Sequence, residues 1–197
     1  MLKKIYYVLF IVVTLAIIFL IKYFIYTVPI KSALSVYTDT AQKFTLKYSV
    51  GYGVDTSYTY TNLGPSISIP GVKFTIPSIV ATGTNLSSDT YLSVEHRNNV
   101  TRCTPDNFLL ISSSSSYSSI VDGSITYNVA SSTGAGAGNR YEEYVYAIDG
   151  SNPCIAIRYF IHSTAIENYT PGTKTEFNKN ALLSQLDTIR KSLILKQ

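Results

Sequence analysis

Residues 5–21 read IYYVLFIVVTLAIIFLI, an apolar run without a charge and with only Thr14 as a mildly polar interruption. Lys22 follows, and the run resumes as Tyr23, Phe24, Ile25 and Tyr26. At about 1.5 Å per residue, a helix through Tyr26 is long enough to cross a hydrocarbon core of about 30 Å. A cleaved signal peptide needs a shorter apolar run and small residues at the cut. Here bulky Tyr, Phe and Ile close the run, and the small-x-small candidate Ala33-Leu34-Ser35 lies well beyond it. The sequence therefore predicts a retained single-pass transmembrane anchor over residues 1–26, touching membrane lipid through residues 5–26. The Lys22 stem can stay in lipid while its ammonium reaches the interface. Tyr6, Tyr7, Tyr23 and Tyr26 fall near the two ends, where amphipathic rings settle. Lys3 and Lys4 favour a cytoplasmic N-terminus. Everything after the anchor is then extracytoplasmic, in a periplasm or at the cell surface. Pro29 ends the helical pattern, so residues 27–42 read as a tether and residues 43–197 as one extracytoplasmic domain.

Charge narrows the partners. Lys3, Lys4 and Lys22 belong to the anchor, and the remaining Lys and Arg nearly balance the 12 Asp and Glu. No basic field is left to attract nucleic acid. Ser, Thr, Asn and the 17 Tyr are abundant instead. They imply an uncharged polar surface over an interior whose Tyr, Thr, Val and Ile favour sheets. The 2 cysteines are Cys103 and Cys154. Outside the cytoplasm the simplest reading of an even pair is one disulfide; two buried free thiols are the alternative. The 2 histidines, His96 and His162, are too few for a His-rich metal site. Neither CxxC spacing nor a calcium-loop pattern of carboxylates occurs, so no metal and no cofactor is expected.

Period-two alternation marks the strands. Over residues 44–52, Phe44, Leu46, Tyr48, Val50 and Tyr52 alternate with Thr45, Lys47 and Ser49. Short strands are expected over 66–69 and 72–76 around a Pro70-Gly71 turn. Another is expected over 90–96, with Leu92 and Val94 on one side and Tyr91, Ser93 and Glu95 on the other. Thr104-Pro105-Asp106 opens a short helix through about Leu110. The serine-rich stretch 112–119 reads as a surface loop. A strand over 124–130 leads through a glycine-rich connection, 131–138, to a strand over 140–148. After a turn at 149–153, the strand over 154–162 presents Ile155, Ile157, Tyr159 and Ile161 on one face. Cys154, Ala156, Arg158, Phe160 and His162 share the other. Asn178 caps a last helix whose Leu182, Leu186, Ile189 and Leu193 form one stripe. The expected fold class is α+β: an N-terminal transmembrane helix, then an antiparallel β-sheet domain with a C-terminal helix packed on one face.

The early strand FTLKYSV over 44–50, a central hairpin, and a closing helix ending LDTIRKSL over 186–193 resemble the layout of PsbP/Mog1-like α+β sandwich domains carried behind an N-terminal anchor. The resemblance covers most of the chain beyond the anchor. It implies a non-catalytic accessory or assembly role, and it carries no site residues over.

Motifs for chemistry are few. Gly134, Gly136 and Gly138 have phosphate-loop spacing, but a strand-like Arg-Tyr-Glu-Glu-Tyr-Val-Tyr follows where a helix N-terminus is needed. A hairpin loop is the better reading. No GxSxG occurs among the serines, and the sequons at Asn85, Asn99 and Asn168 are expected by chance in so Asn-, Ser- and Thr-rich a chain. One cluster has chemical range: Arg158 and His162 on one strand face, with Glu143 or Glu142 on the preceding strand. Such a group can bind an anion or move protons. The plain alternative is a cross-strand ion pair beside a capping histidine. Two functions remain. One is non-catalytic binding of another protein or an envelope component. The other is a small-ligand receptor or enzyme built on Arg158, His162 and Glu143. No residue is assigned a catalytic role from sequence.

Overall fold

The computed structural model describes Tyr6, Val13, Thr14, Ile17 and residues 33–41, 44–110 and 117–196. The chain divides into two compact units, Met1–Ala33 and Leu34–Gln197. In the first, the described Tyr6, Val13, Thr14 and Ile17 are helical and exposed. The rest of the transmembrane element expected over residues 1–26 lies outside the described residues. Among the described residues no helix is long and apolar enough to cross a membrane.

The expected fold class is thereby corrected. The second unit is mostly antiparallel sheet, with few helices. Apart from two 3-10 turns, its described helix is α1 (Ser78–Ala81, 4 residues) and α2 (Lys179–Arg190, 12 residues). In stretches such as 44–49 and 154–161, β-branched and aromatic residues recur with period two, a pattern that suits strands rather than helix.

Strand β1 (Leu34–Asp39), within the stretch read as a tether, pairs with β2 (Phe44–Ser49). The larger sheet takes β3 (Gly53–Asp55), β4 (Thr59–Tyr60), β5 (Ile69–Thr75), β6 (Tyr91–Arg97), β7 (Ser118–Asp122), β8 (Ile125–Gly136), β9 (Asn139–Ile148) and β10 (Cys154–Thr164). Its order is β3-β5-β6-β10-β9-β8-β7, with β4 beside β5. A short β11 (Ile194–Leu195) adds to β2. All these strand pairings are antiparallel.

The two faces of the large sheet carry different cores. On one, Val72, Phe74, Leu92, Val94 and the Ile155, Ile157, Tyr159, Ile161 row cluster with Phe44 and Leu46 of β2 and with Leu182, Leu186 and Ile189 of α2. The Asn178 side chain accepts from Ala181 N at 3.0 Å, satisfying a helix-start donor. On the other face, Val145, Ala147, Cys154 and Ala156 lie beneath Tyr60, Leu63, Phe108 and Leu109. This second lid is loop and short strand, so it needs ties other than apolar burial. One is the Cys103–Cys154 disulfide.

Three local expectations give way. Pro70 and Gly71 are not a turn but part of β5: Thr59 stands opposite Pro70, and Gly71 N donates to Tyr58 O at 3.0 Å. A Cβ on Gly71 would sit 2.4 Å from Val94 O, so only glycine lets β5 pass this close to β6. The glycine-rich stretch is strand, with Gly134 opposite Tyr141 and Gly136 opposite Asn139. Reversal occurs only at Ala137 and Gly138, both with positive φ. The large β9 side chains supply the packing surface that the glycines lack. Between Thr104 and Leu110 there is one 3-10 turn, Pro105–Asn107. The Asn107 side chain folds back to donate to Arg102 O at 2.8 Å and Thr104 O at 3.2 Å, competing with helix continuation. Of the serine-rich stretch, residues 112–116 lie outside the described residues, while Ser118 and Ser119 begin β7.

Candidate functional site

Alternation along β10 brings Arg158 to the loop-covered face, between Ser93 of β6 and Val145 of β9. Its side chain is 0% exposed. A buried guanidinium must have its donors satisfied, and here they are. Nε donates to Glu95 Oε1 at 2.8 Å and Nη2 to Glu95 Oε2 at 2.9 Å, a bidentate pair. Nη1 donates to Glu143 Oε2, and Nη2 also donates to the Phe108 carbonyl. The Tyr60 ring stacks on the guanidinium, 3.5 Å from its carbon. The Tyr60 hydroxyl donates to Glu143 at 3.0 Å and 3.2 Å. Ser93 Oγ donates to Glu95 Oε1 at 2.7 Å.

Burial alone would push the Arg158 pKa down. The Glu95 carboxylate and its hydrogen bonds outweigh that and raise it above the ordinary arginine value. Burial pushes the Tyr58, Tyr60 and Tyr91 phenols up, so they remain neutral. The network holds two carboxylates for one guanidinium. Glu95 is 0% exposed, and Glu143, at 16%, is where it meets solvent.

His162 is on the same face, but Phe160 stands between it and Arg158. Its Nδ1 lies 2.8 Å from Asp89 Oδ1 and its Nε2 3.0 Å from Asn139 Oδ1, and its ring stacks on Tyr141 at 4.6 Å. Glu142 faces the opposite side, where it meets Lys179 and Tyr144. The structure thus joins Arg158 to Glu143, adds Glu95, Tyr60 and Ser93, and leaves His162 in a separate set with Asp89. Glu95 is the residue that sequence reasoning missed. Its alternation with Leu92 and Val94 was visible, but nothing local says that β6 lies beside β10.

A second buried cation, Arg190 of α2, donates through Nε to Tyr159 OH at 2.9 Å and pairs with Asp122 and Asp187. Its guanidinium carbon lies 4.5 Å from the Tyr146 ring centroid. It fastens the helix end to the sheet. Among the described residues no group of His, Cys, Asp and Glu could hold a metal ion.

No known family model matches the sequence, and no curated protein matches it. Among solved structures the chain is similar to a crystal structure from Bacteroides thetaiotaomicron VPI-5482, with a TM-score of 0.46 and 8% identity over 82% of this chain and 48% of that one. The chain spans about half the length of that protein. It is also similar to the solution structure of cyanobacterial PsbP (CyanoP) from Synechocystis sp. PCC 6803, with a TM-score of 0.44 and 16% identity over 86% of this chain and 96% of that one. Neither likeness assigns a function.

Proposed function

We propose that the chain is a non-catalytic accessory or binding module held at the cell membrane, whose domain works in an oxidising extracytoplasmic compartment and meets another protein or an envelope component. One observation carries the non-catalytic reading: Arg158 and His162, the two groups that could meet an anion or move a proton, are held by fixed partners. Arg158 has no exposed side-chain surface, and both ring nitrogens of His162 are engaged. Acid–base chemistry needs a group free to face a substrate. The Cys103–Cys154 bond supports the compartment, because disulfides persist where thiols are not kept reduced. Membrane retention and a cytoplasmic N-terminus rest on the sequence of residues 1–26 alone. The PsbP/Mog1-like layout implies an accessory role as well.

The test is photo-crosslinking of the full-length chain in cells, with the reactive residue placed at Tyr141 on the site face or at Val121 as a control. A discrete adduct from the first position alone is expected. No adduct above the control contradicts the binding role. The partial exposure of Glu143 keeps the receptor or enzyme reading as an alternative. In that case Arg158→Ala and His162→Ala remove a ligand-induced rise in melting temperature; a structural cluster loses stability alone.

A further inference from the structure

Beside Glu143 opens a cavity of about 450 Å³ whose lining includes Tyr141, Phe160, Asn62, Ser132 and Gly134. The Tyr141 and Phe160 rings have centroids 6.0 Å apart and are inclined at 38°. Register explains why the cavity stays open. Ser132 stands opposite Glu143 and Gly134 opposite Tyr141, and among the described residues no atom beyond its chain neighbours lies within 4 Å of where a Gly134 Cβ would be.

Charge decides what fits. Glu95 and Glu143 share the single guanidinium of Arg158, leaving a surplus negative charge. Among the described residues no lysine or arginine lines the cavity; Lys73, over the Tyr58 and Tyr91 rings, pairs with Asp55, and Arg140 pairs with Glu167. Oε1 of Glu143 accepts from Tyr60 at 3.2 Å and has acceptor capacity to spare. A carboxylate with spare lone pairs beside two aromatic rings repels an anion. It offers a neutral polyol no charge partner, and it suits a cation with an alkyl surface.

We propose that this cavity receives the lysine side chain of a partner protein, whose ammonium can donate to the spare lone pairs of Glu143 as a quaternary head cannot, with its alkyl stem over Tyr141 and Phe160. The assignment rests on the binding-module reading and names the chemistry that the partner presents.

Isothermal titration of the disulfide-bonded full chain in detergent tests it, with Nα-acetyl-lysine amide, choline and methyl glucoside as probes. Saturable binding of the lysine amide, tighter than that of choline, and none of the glucoside is expected. Preference for choline would point to a lipid headgroup and overturn the lysine assignment. Glu143→Gln, which keeps an acceptor for Arg158, should weaken binding about tenfold. Gly134→Val, which fills the cavity from an exposed strand position, should do the same without lowering the melting temperature, and it decides the matter if Glu143→Gln fails to fold. Silence toward the lysine amide, equal affinity for the glucoside, or unchanged affinity in the folded variants likewise overturns the assignment. If Tyr141 crosslinks persist in that event, the binding role stands and only the ammonium is wrong; if they vanish too, both fall.

Discussion

Replacing Arg158 by methionine separates a structural clamp from a reactive group. Methionine retains much of the apolar stem, so the main loss is the charge and its hydrogen bonds. Glu95 then loses both close guanidinium contacts, at 2.8 Å and 2.9 Å, and keeps Ser93 at 2.7 Å; Tyr58 OH, at 3.5 Å, is a marginal donor. An uncompensated carboxylate at 0% exposure remains. Breaking a buried pair this way costs about 3–5 kcal/mol. Glu95→Gln is the informative contrast. Arg158 keeps Glu143 as its counter-charge, the surplus negative charge disappears, and the amide oxygen still accepts one bond. That change should cost about 1–2 kcal/mol. Urea unfolding of both variants at pH 7, with the m-value required to match wild type, measures the difference. Equal costs for the two substitutions, or an Arg158→Met cost below about 1 kcal/mol, would refute a charge-sharing clamp.

Four further outcomes are expected. Reducing Cys103–Cys154, separated by 51 residues, should lower stability by about 4 kcal/mol, read as a shift in urea midpoint with and without reductant. Tyr52 has a buried hydroxyl without a hydrogen-bond partner among the described residues, so Tyr52→Phe should be neutral or stabilising by up to about 1 kcal/mol. Burial pushes the Tyr52 phenol up to about 12; because the folded value is raised, its contribution is intact below pH 10 and is lost between pH 10 and 12, and thermal melts of Tyr52→Phe should show a shallower alkaline decline. Burial lowers the His96 pKa from 6.5, against the opposing pull of Asp39. The stability linked to its neutral form is present above that pH and lost as pH falls, so acidification from pH 7.5 to 5.5 should cost wild type more than His96→Gln in a urea titration. Gly71→Ala should lower the melting temperature, because the new methyl meets backbone at 2.4 Å; an unchanged melt would mean that β5 and β6 can move apart freely.

What could be read from the sequence was local. Alternation in 154–162 separates the isoleucine face from the arginine face because strand side chains repeat every two residues. Arg158 and Glu143 could be brought together because a tight turn at 149–153 joins their strands. Glu95 could not, since 63 residues separate it from Arg158 and only the β6–β10 pairing makes them neighbours. Glycine propensity misled at 131–138, where the support comes from Tyr141 and its neighbours across the ladder. Pro70-Gly71 misled likewise, because a close backbone approach demands the same glycine that a turn would. The α+β expectation gave too much weight to helix signals such as Thr104-Pro105. These ended in one 3-10 turn when Asn107 took the local carbonyls.

The most direct measurement is hydrogen exchange by mass spectrometry on wild type and Arg158→Met under conditions where both remain folded. If Arg158 and its two carboxylates pin the covering loops to the sheet, backbone amides of 56–60 and 98–110 lose protection selectively while β9 and β10 keep theirs. Protection unchanged in those loops, or lowered evenly through every strand, would contradict the clamp.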